Sequence, residues 1–262
     1  MPLAFYLKKM RAAIFVDGEN FRRSLVELFG KEFPKEDYLP KKADWEGFFD
    51  FLRLKAKCEE RIRTYWYVIE NVAFYPYNFP DQENKLLKLY CKKFSPYKDE
   101  LEKLKLSSNE NELTRRLQEI TSELKNKREY FKKRFEGWRE IQDGIAKKHF
   151  AIEFRRAGTI RYNLFNGTLG PEKAVDVKMA VDLLELRDIY DTAIIVSGDQ
   201  DFVPAVQVIK DSGKRVINVC FLTRDGRYLP GGAKRLNQET DTALEIRYEE
   251  IKKFILPEGE KK

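Results

Sequence analysis

The spacing of apolar positions changes several times along the chain, and each change marks an element. Residues 12–16 (AAIFV) form a short unbroken apolar run closed by Asp17 and Gly18. That is the pattern of a strand buried on both faces and stopped by turn chemistry. Phe21, Leu25, Leu28 and Phe29 then recur at helical spacing ahead of Gly30, which predicts a helix over 20–29. Pro34 and Pro40 make 31–42 a loop. Trp45, Phe48, Phe49, Leu52 and Ala56 mark a second helix. Residues 61–73 (RIRTYWYVIENVA) are β-branched and aromatic and alternate in part, predicting the second strand.

A similar alternation of elements returns after His149. Residues 150–155 alternate as a strand, and 161–164 are placed to form a ribbon with it. Residues 172–186 predict a helix with Val177, Ala180, Val181 and Leu184 on one face. TAIIV (192–196) is a second fully apolar strand, followed by SGDQDF and a helix to Asp211 that Gly213 ends. Residues 215–221 predict a further strand, and 243–255 a closing helix. Strands alternating with helices predict the α/β class, with a doubly wound, mainly parallel sheet flanked by helices.

Between these halves the texture differs. Residues 81–150 carry 18 Lys/Arg against 13 Asp/Glu, which accounts for most of the chain's net charge of +7. Leu113, Leu117, Ile120, Leu124, Phe131, Phe135, Trp138 and Ile145 follow a three-to-four residue repeat. Ser107 with Glu110, or Ser108, is a candidate cap. A helix over 109–148 would run about 60 Å at 1.5 Å per residue. The preceding segment carries Leu86, Tyr90, Phe94, Tyr97, Leu101 and Leu104 and is expected to pack back on it despite Pro96. The expected organisation is therefore an α/β domain begun by residues 1–80 and completed by 138–262, with a charged antiparallel helical hairpin inserted at 81–137. Its alternating charge signs fit a solvated helix face better than a nucleic-acid stripe. Its apolar seam would serve equally as a homodimer or protein-partner contact, and Phe135 and Trp138 read as core.

Composition removes several chemistries. At 262 residues with 42% apolar content, the chain can bury a sizeable core. A single histidine, His149, excludes a two-histidine acid/base ribonuclease within one chain. Cys58, Cys91 and Cys220 lie far apart and form no CxxC pair, which argues against disulfide scaffolds and Cys/His zinc sites and for a reduced, cytoplasmic protein. The N-terminal MPLAFYLKKM has its apolar run before its lysines, the wrong order for a secretory signal. No apolar run is long enough for a membrane span. Met10, just ahead of the first strand, is a second candidate start, which would leave 1–9 outside the native chain.

The remaining chemistry is acidic. In open parallel sheets the working groups lie at the carboxyl ends of the strands. Asp17 directly follows the first strand, Asp199 and Asp201 follow TAIIV, and Asp176 lies in the first turn of the helix before TAIIV. Taken singly, each has a structural explanation: Asp17 as a turn residue, Asp201 as a helix cap ahead of Pro204. Together, four converging carboxylates would repel one another, an arrangement best tolerated around a divalent cation. Oxygen donors without His or Cys point to Mg²⁺ or Mn²⁺ rather than zinc.

Three segments carry a resemblance. FVDGENF (15–21), KAVDVKMAVDLL (173–184) and SGDQDFVPAV (197–206) resemble the ordered motifs of NYN-domain proteins, PIN-like nucleases that include the LabA-like bacterial group. GKRVINV and TALEIRYEEI are similar to that family's closing strand and helix. The resemblance covers most of 11–80 and 138–254 and leaves the helical insertion outside the family pattern. It implies a PIN-like sheet and a metal-dependent ribonuclease whose acidic cluster maps onto Asp17, Asp176, Asp199 and Asp201, with Asn20 in support. Ala174 stands where relatives usually have Gly, and Gln200 where Ser or Gly is common; every carboxylate is retained.

The chemistry expected of such a site is metal-assisted hydrolysis of RNA phosphodiester bonds. The cation would polarise a phosphodiester oxygen and acidify a bound water, leaving a 5′-phosphate with no covalent intermediate. Asn20 and Ser197 could position water or phosphate. Arg22, Arg155, Arg156, Arg161 and Tyr162 combine guanidinium and aromatic groups suited to phosphates and unstacked bases, with an ordinary solvated surface as the alternative for each. Two other readings stand beside this one. A haloacid-dehalogenase-like phosphatase also places a nucleophilic Asp after its first strand, but it wants a second Asp where this chain has Glu19, and it leaves Asp176 without a role. A non-catalytic RNA-binding or scaffold protein would use the hairpin for a partner and keep the acidic site as a vestige.

Overall fold

The computed structural model describes residues 9–30, 38–107, 109–229 and 234–256. The expectations that Ser108 caps a helix and that 31–37 form a loop lie outside them, as do residues 1–8. Seven strands form one sheet: β1 (Arg11–Asp17), β2 (Glu60–Tyr75), β3 (Ile152–Asn163), β4 (Thr168–Lys173), β5 (Thr192–Val196), β6 (Arg215–Leu222) and β7 (Thr242–Arg247), in the order β4-β3-β2-β1-β5-β6-β7. β1 pairs in parallel with β2 and β5, as do β5 with β6 and β6 with β7; β3 and β4 are antiparallel. The result is a mixed α/β fold with a mostly parallel sheet, as the alternation of elements predicts. No helix among the described residues is long and apolar enough to cross a membrane.

The chain divides into two compact units, Met1–Val68 with Trp138–Ala157 and Ala174–Lys262, and Ile69–Gly137 with Gly158–Lys173. In the first, residues 12–16 of β1 and 193–196 of β5 are apolar because both faces of the sheet are covered. Ala12, Ile14 and Val16 pack with residues of α1 (Gly18–Phe29), α2 (Trp45–Lys55) and α9 (Tyr248–Ile255). This core is aromatic: the Phe21 ring lies 5.7 Å from Trp66 and 5.8 Å from Phe48, and Trp66 lies 5.0 Å from Trp45. Truncating Phe21 to Ala would cost about 3–5 kcal/mol. Phe15 points the other way, against Tyr190, on the face served by α6 (Val175–Glu185) and α7 (Val203–Asp211).

Several expected boundaries change after His149. Residues 161–163 are the end of one continuous β3, with Leu164 in the turn after it, and its ribbon partner is β4. The helix after it therefore starts at Val175 rather than 172. Gly170 and Pro171 make 168–173 poor helix but acceptable edge strand. α6 buries Val175, Met179, Asp182 and Leu183, whereas Val177 is 65% exposed. The expected apolar face was thus misplaced, because a buried charge took one of the inward positions. Residues 242–247 pair with β6 as β7, leaving only 248–255 helical. The short α8 (Lys234–Glu239) precedes that strand.

The second unit holds α3 (Glu83–Tyr90), α4 (Lys98–Leu106) and most of α5 (Glu110–Lys148). α5 is a single 39-residue helix, as its periodicity predicts. Its cap is Asn109, whose Oδ1 accepts from the Glu112 N–H at 3.2 Å; Ser107 instead closes the end of α4. The arm before α5 is broken around Pro96, where the chain loses a helical N–H. Its two pieces run in opposite senses. Thr114 meets Glu83 and Thr121 meets Tyr90, so α3 runs parallel to α5. Glu123 meets Tyr97 and Arg116 meets Glu100, so only α4 packs antiparallel. The long two-armed hairpin expected at 81–137 is therefore a three-helix arrangement. An aromatic cluster seals it, with Phe131 stacked on Tyr162 at 3.9 Å and Phe165 against Tyr90 and Tyr97.

Candidate active site

Register brings the first two site residues together. Val16 of β1 pairs with Val196 of β5, so Asp17 and Ser197 leave the sheet side by side. Ser197 Oγ donates to Asp17 Oδ2 at 2.7 Å and accepts from the Asp199 N–H at 3.0 Å. The other Asp17 oxygen caps α1, accepting from the Asn20 N–H at 3.1 Å. Asn20 reaches back across the same gap, its Oδ1 accepting from the Gly198 N–H at 2.9 Å. These bonds tie the ends of both strands into one rigid corner. Gly18 permits it, since a Cβ there would run into the Tyr67 carbonyl oxygen.

The other carboxylates arrive from neighbouring turns. Asp199 Oδ1 accepts from the Asp201 N–H at 2.9 Å and caps a 3₁₀ turn at Gln200–Phe202, with Pro204 in the first turn of α7. The capping role expected for Asp201 thus belongs to Asp199. Asp176 sits at the start of α6, whose first turn is set by Ala174 in a left-handed conformation at φ 76°. An oxygen of Asp176 lies within 4.8 Å of one of Asp17.

Burial and charge act together on this cluster. Asp17 is 4% exposed. Burial pushes its carboxyl up to about 7, the bonds from Ser197 and Asn20 oppose this, and the charges of Asp176 and Asp199 add to it. Partial burial raises Asp176 as well, followed by the charges of Asp199 and Asp201. Among the described residues no Lys or Arg forms an ion pair with Asp17. Hydrogen bonds thus join Asp17, Asn20, Ser197, Gly198 and Asp199 at one end of the sheet, Asp176 comes within 4.8 Å of Asp17, and the charges of Asp199 and Asp201 reach Asp176.

The basic and aromatic candidates are engaged by other groups. Arg22 is bonded to Glu19 at 2.8 Å. Arg155 gives its guanidinium to Asp182 at 2.5 Å and Glu153 at 3.0 Å, over the Tyr65 ring. Arg156 is held by Gln142 and Asp143. Arg161 and Tyr162 belong to the second unit, against Tyr77 and Phe131 respectively. The sequence reading passed over the segment after β6, where Tyr228 and Leu229 line a cavity together with Asn20 and Ser197. The rule that strand carboxyl ends carry function would have pointed there too.

The sequence model of the NYN domain matches residues 96–246, more than half of the chain. The chain belongs to the NYN-domain family. NYN domains are PIN-like, within a nuclease superfamily. The matched span holds Asp176, Asp199 and Asp201, while the Asp17–Asn20 segment lies before it and joins them through the β1–β5 register. No curated protein matches the sequence. A crystal structure of a protein of unknown function from Vibrio parahaemolyticus is similar to this NYN protein at 16% identity, covering 91% of this chain and 93% of that one, with a TM-score of 0.43.

Proposed function

We propose that this NYN-domain protein is a divalent-metal-dependent endoribonuclease. Asp17, Asp176, Asp199 and Asp201 would hold Mg²⁺ or Mn²⁺, and RNA is the substrate. One observation carries the reading: Asp17 is buried among like charges with no cationic partner among the described residues, an unfavourable state that a bound cation relieves. The donors fit such an ion, being oxygens only. When bound, the cation supplies Lewis acidity toward a phosphodiester oxygen and acidifies a water. The chain's own part is positioning. Ser197 and Asn20 fix Asp17 and the Gly198–Asp199 backbone in place, so the carboxylates need little rearrangement on binding metal.

The test is cleavage of end-labelled single-stranded RNA with Mn²⁺, Mg²⁺ or EDTA, comparing wild type with Asp199→Asn. The amide keeps an oxygen for the Asp201 N–H and removes one charge. Metal-dependent cleavage should fall at least about a hundredfold in the variant. RNA that is bound but left intact by both proteins would replace this reading with a non-catalytic RNA-binding role.

A further inference from the structure

Beside the acidic cluster lies a cavity of about 260 Å³ that shares Asn20, Ser197 and Gly198 with it. Val196, Val219, Phe221 and Leu229, all buried, form its apolar walls. Tyr228 stands at its edge with 52% of its surface exposed. The ring is well held for an exposed group. Its turn is closed by Thr223 N–H to Arg227 O at 2.8 Å and Gly226 N–H to Thr223 O at 2.9 Å, and its hydroxyl donates to Glu245. Arg23 lines the same cavity with a 70% exposed side chain, 3.6 Å from Glu19.

We propose that this cavity takes one unstacked base of single-stranded RNA, with Tyr228 as its stacking platform. The proposal deepens the ribonuclease reading and rests on it: the shared residues place the base within a nucleotide of the phosphodiester presented to the acidic cluster. The volume lies below that of pockets for larger ligands and suits a single planar ring system. Apolar walls and an exposed, immobilised aromatic ring match the faces of a base, which single-stranded RNA displays and double-stranded RNA hides. A phosphate is the wrong occupant. Glu27 lines the cavity and Asp17 adjoins it through Ser197, so an anion would be repelled. Arg23, at the solvent side, is the group suited to the backbone outside.

Fluorescence anisotropy of a labelled oligoribonucleotide in EDTA, where metal-dependent cleavage is off, reads the base contact separately from catalysis. Tyr228→Ala should weaken binding about tenfold, and Tyr228→Phe, which keeps the ring and loses only its hydroxyl bond to Glu245, should lose far less. An abasic site scanned along the oligonucleotide should cost wild type about the same factor at one position and cost Tyr228→Ala nothing further. Equal affinity of wild type and Tyr228→Ala, or indifference to every abasic site, overturns the base pocket. If Mn²⁺-dependent cleavage persists in that case, the ribonuclease reading stands without it. Tyr228-dependent binding with no cleavage keeps the pocket and removes the nuclease. Absence of RNA binding by wild type in EDTA overturns the base pocket, and the ribonuclease reading falls with it only if Mn²⁺-dependent cleavage is absent as well.

Discussion

Two aspartates of the first unit are buried almost equally and treated in opposite ways. Asp182, fully buried on α6, accepts from Tyr67 OH at 2.9 Å, Arg155 at 2.5 Å and Lys178 at 2.7 Å. Burial alone would raise its carboxyl, but the bonds from Lys178, Arg155 and Tyr67 outweigh it and hold the group below the usual carboxylate range. Asp17 receives only neutral donors, Ser197 and the Asn20 N–H, and its neighbours are further carboxylates. The first is a charge completed by the fold itself. The second is a charge the fold leaves to be completed from outside, which is why burial is informative only together with the partner list.

The largest effect that would break this contrast is the pH dependence of stability without metal. Asp17 has a folded value of about 7, above its unfolded value of 3.8. The folded state therefore binds the proton more tightly, and the stability this confers is complete below about pH 4 and lost as pH rises through 7. About 4 kcal/mol should disappear over that window in chelated buffer. Urea midpoints measured across it should flatten in Asp17→Asn; an unchanged slope would mean that Asp17 does not carry the shift. Asp182→Asn is the mirror experiment. It leaves Lys178 without a carboxylate and Arg155 with Glu153 alone, and because both reach solvent in part the loss should be about 3 kcal/mol, visible as an earlier denaturation midpoint. A variant as stable as wild type would deny that the network completes the charge.

Metal sharpens the comparison further. At pH 8, Mn²⁺ at a hundred times its dissociation constant should stabilise wild type by about 2.7 kcal/mol. It should do nearly the same for a folded Arg155→Lys variant and far less for Asp17→Asn. Equal gains in thermal midpoint for all three would place the ion elsewhere. The smallest effect concerns the approach to Asp176. Ala174 holds a left-handed backbone at φ 76°, so Ala174→Gly should stabilise the fold by about 1 kcal/mol. Denaturation of the two proteins side by side checks this, and a loss would show that the Ala174 methyl contributes packing that outweighs the strain.

Local patterns were enough for much of this protein. The unbroken apolar runs AAIFV and TAIIV identified buried parallel strands, because a strand covered on both faces has no polar alternation to display. The heptad-like repeat through Leu117, Leu124 and Phe131 located α5 to within a residue. The four aspartates stood out because each follows an apolar strand or opens a helix, positions that chain order alone reveals. Edge elements were less legible. Residues 168–173 and 242–247 take their conformation from the ladders they join, with β3 and β6 respectively, and such pairing has no local signature. The inward face of α6 was misread because Asp182 looks like a surface residue until Tyr67 and Arg155, 115 and 27 positions away, are brought to it.

What the sequence by itself determined, then, was the class of fold and the placing of carboxylates at strand ends and helix starts. Only the tertiary structure decided which of them share space and which charges are already satisfied. It set Asp17 against Ser197, committed Arg155 to Asp182 and opened the cavity beneath Tyr228. The reason is physical: propensity and periodicity act over a few residues, whereas desolvation and charge pairing depend on groups that meet only when distant strands align.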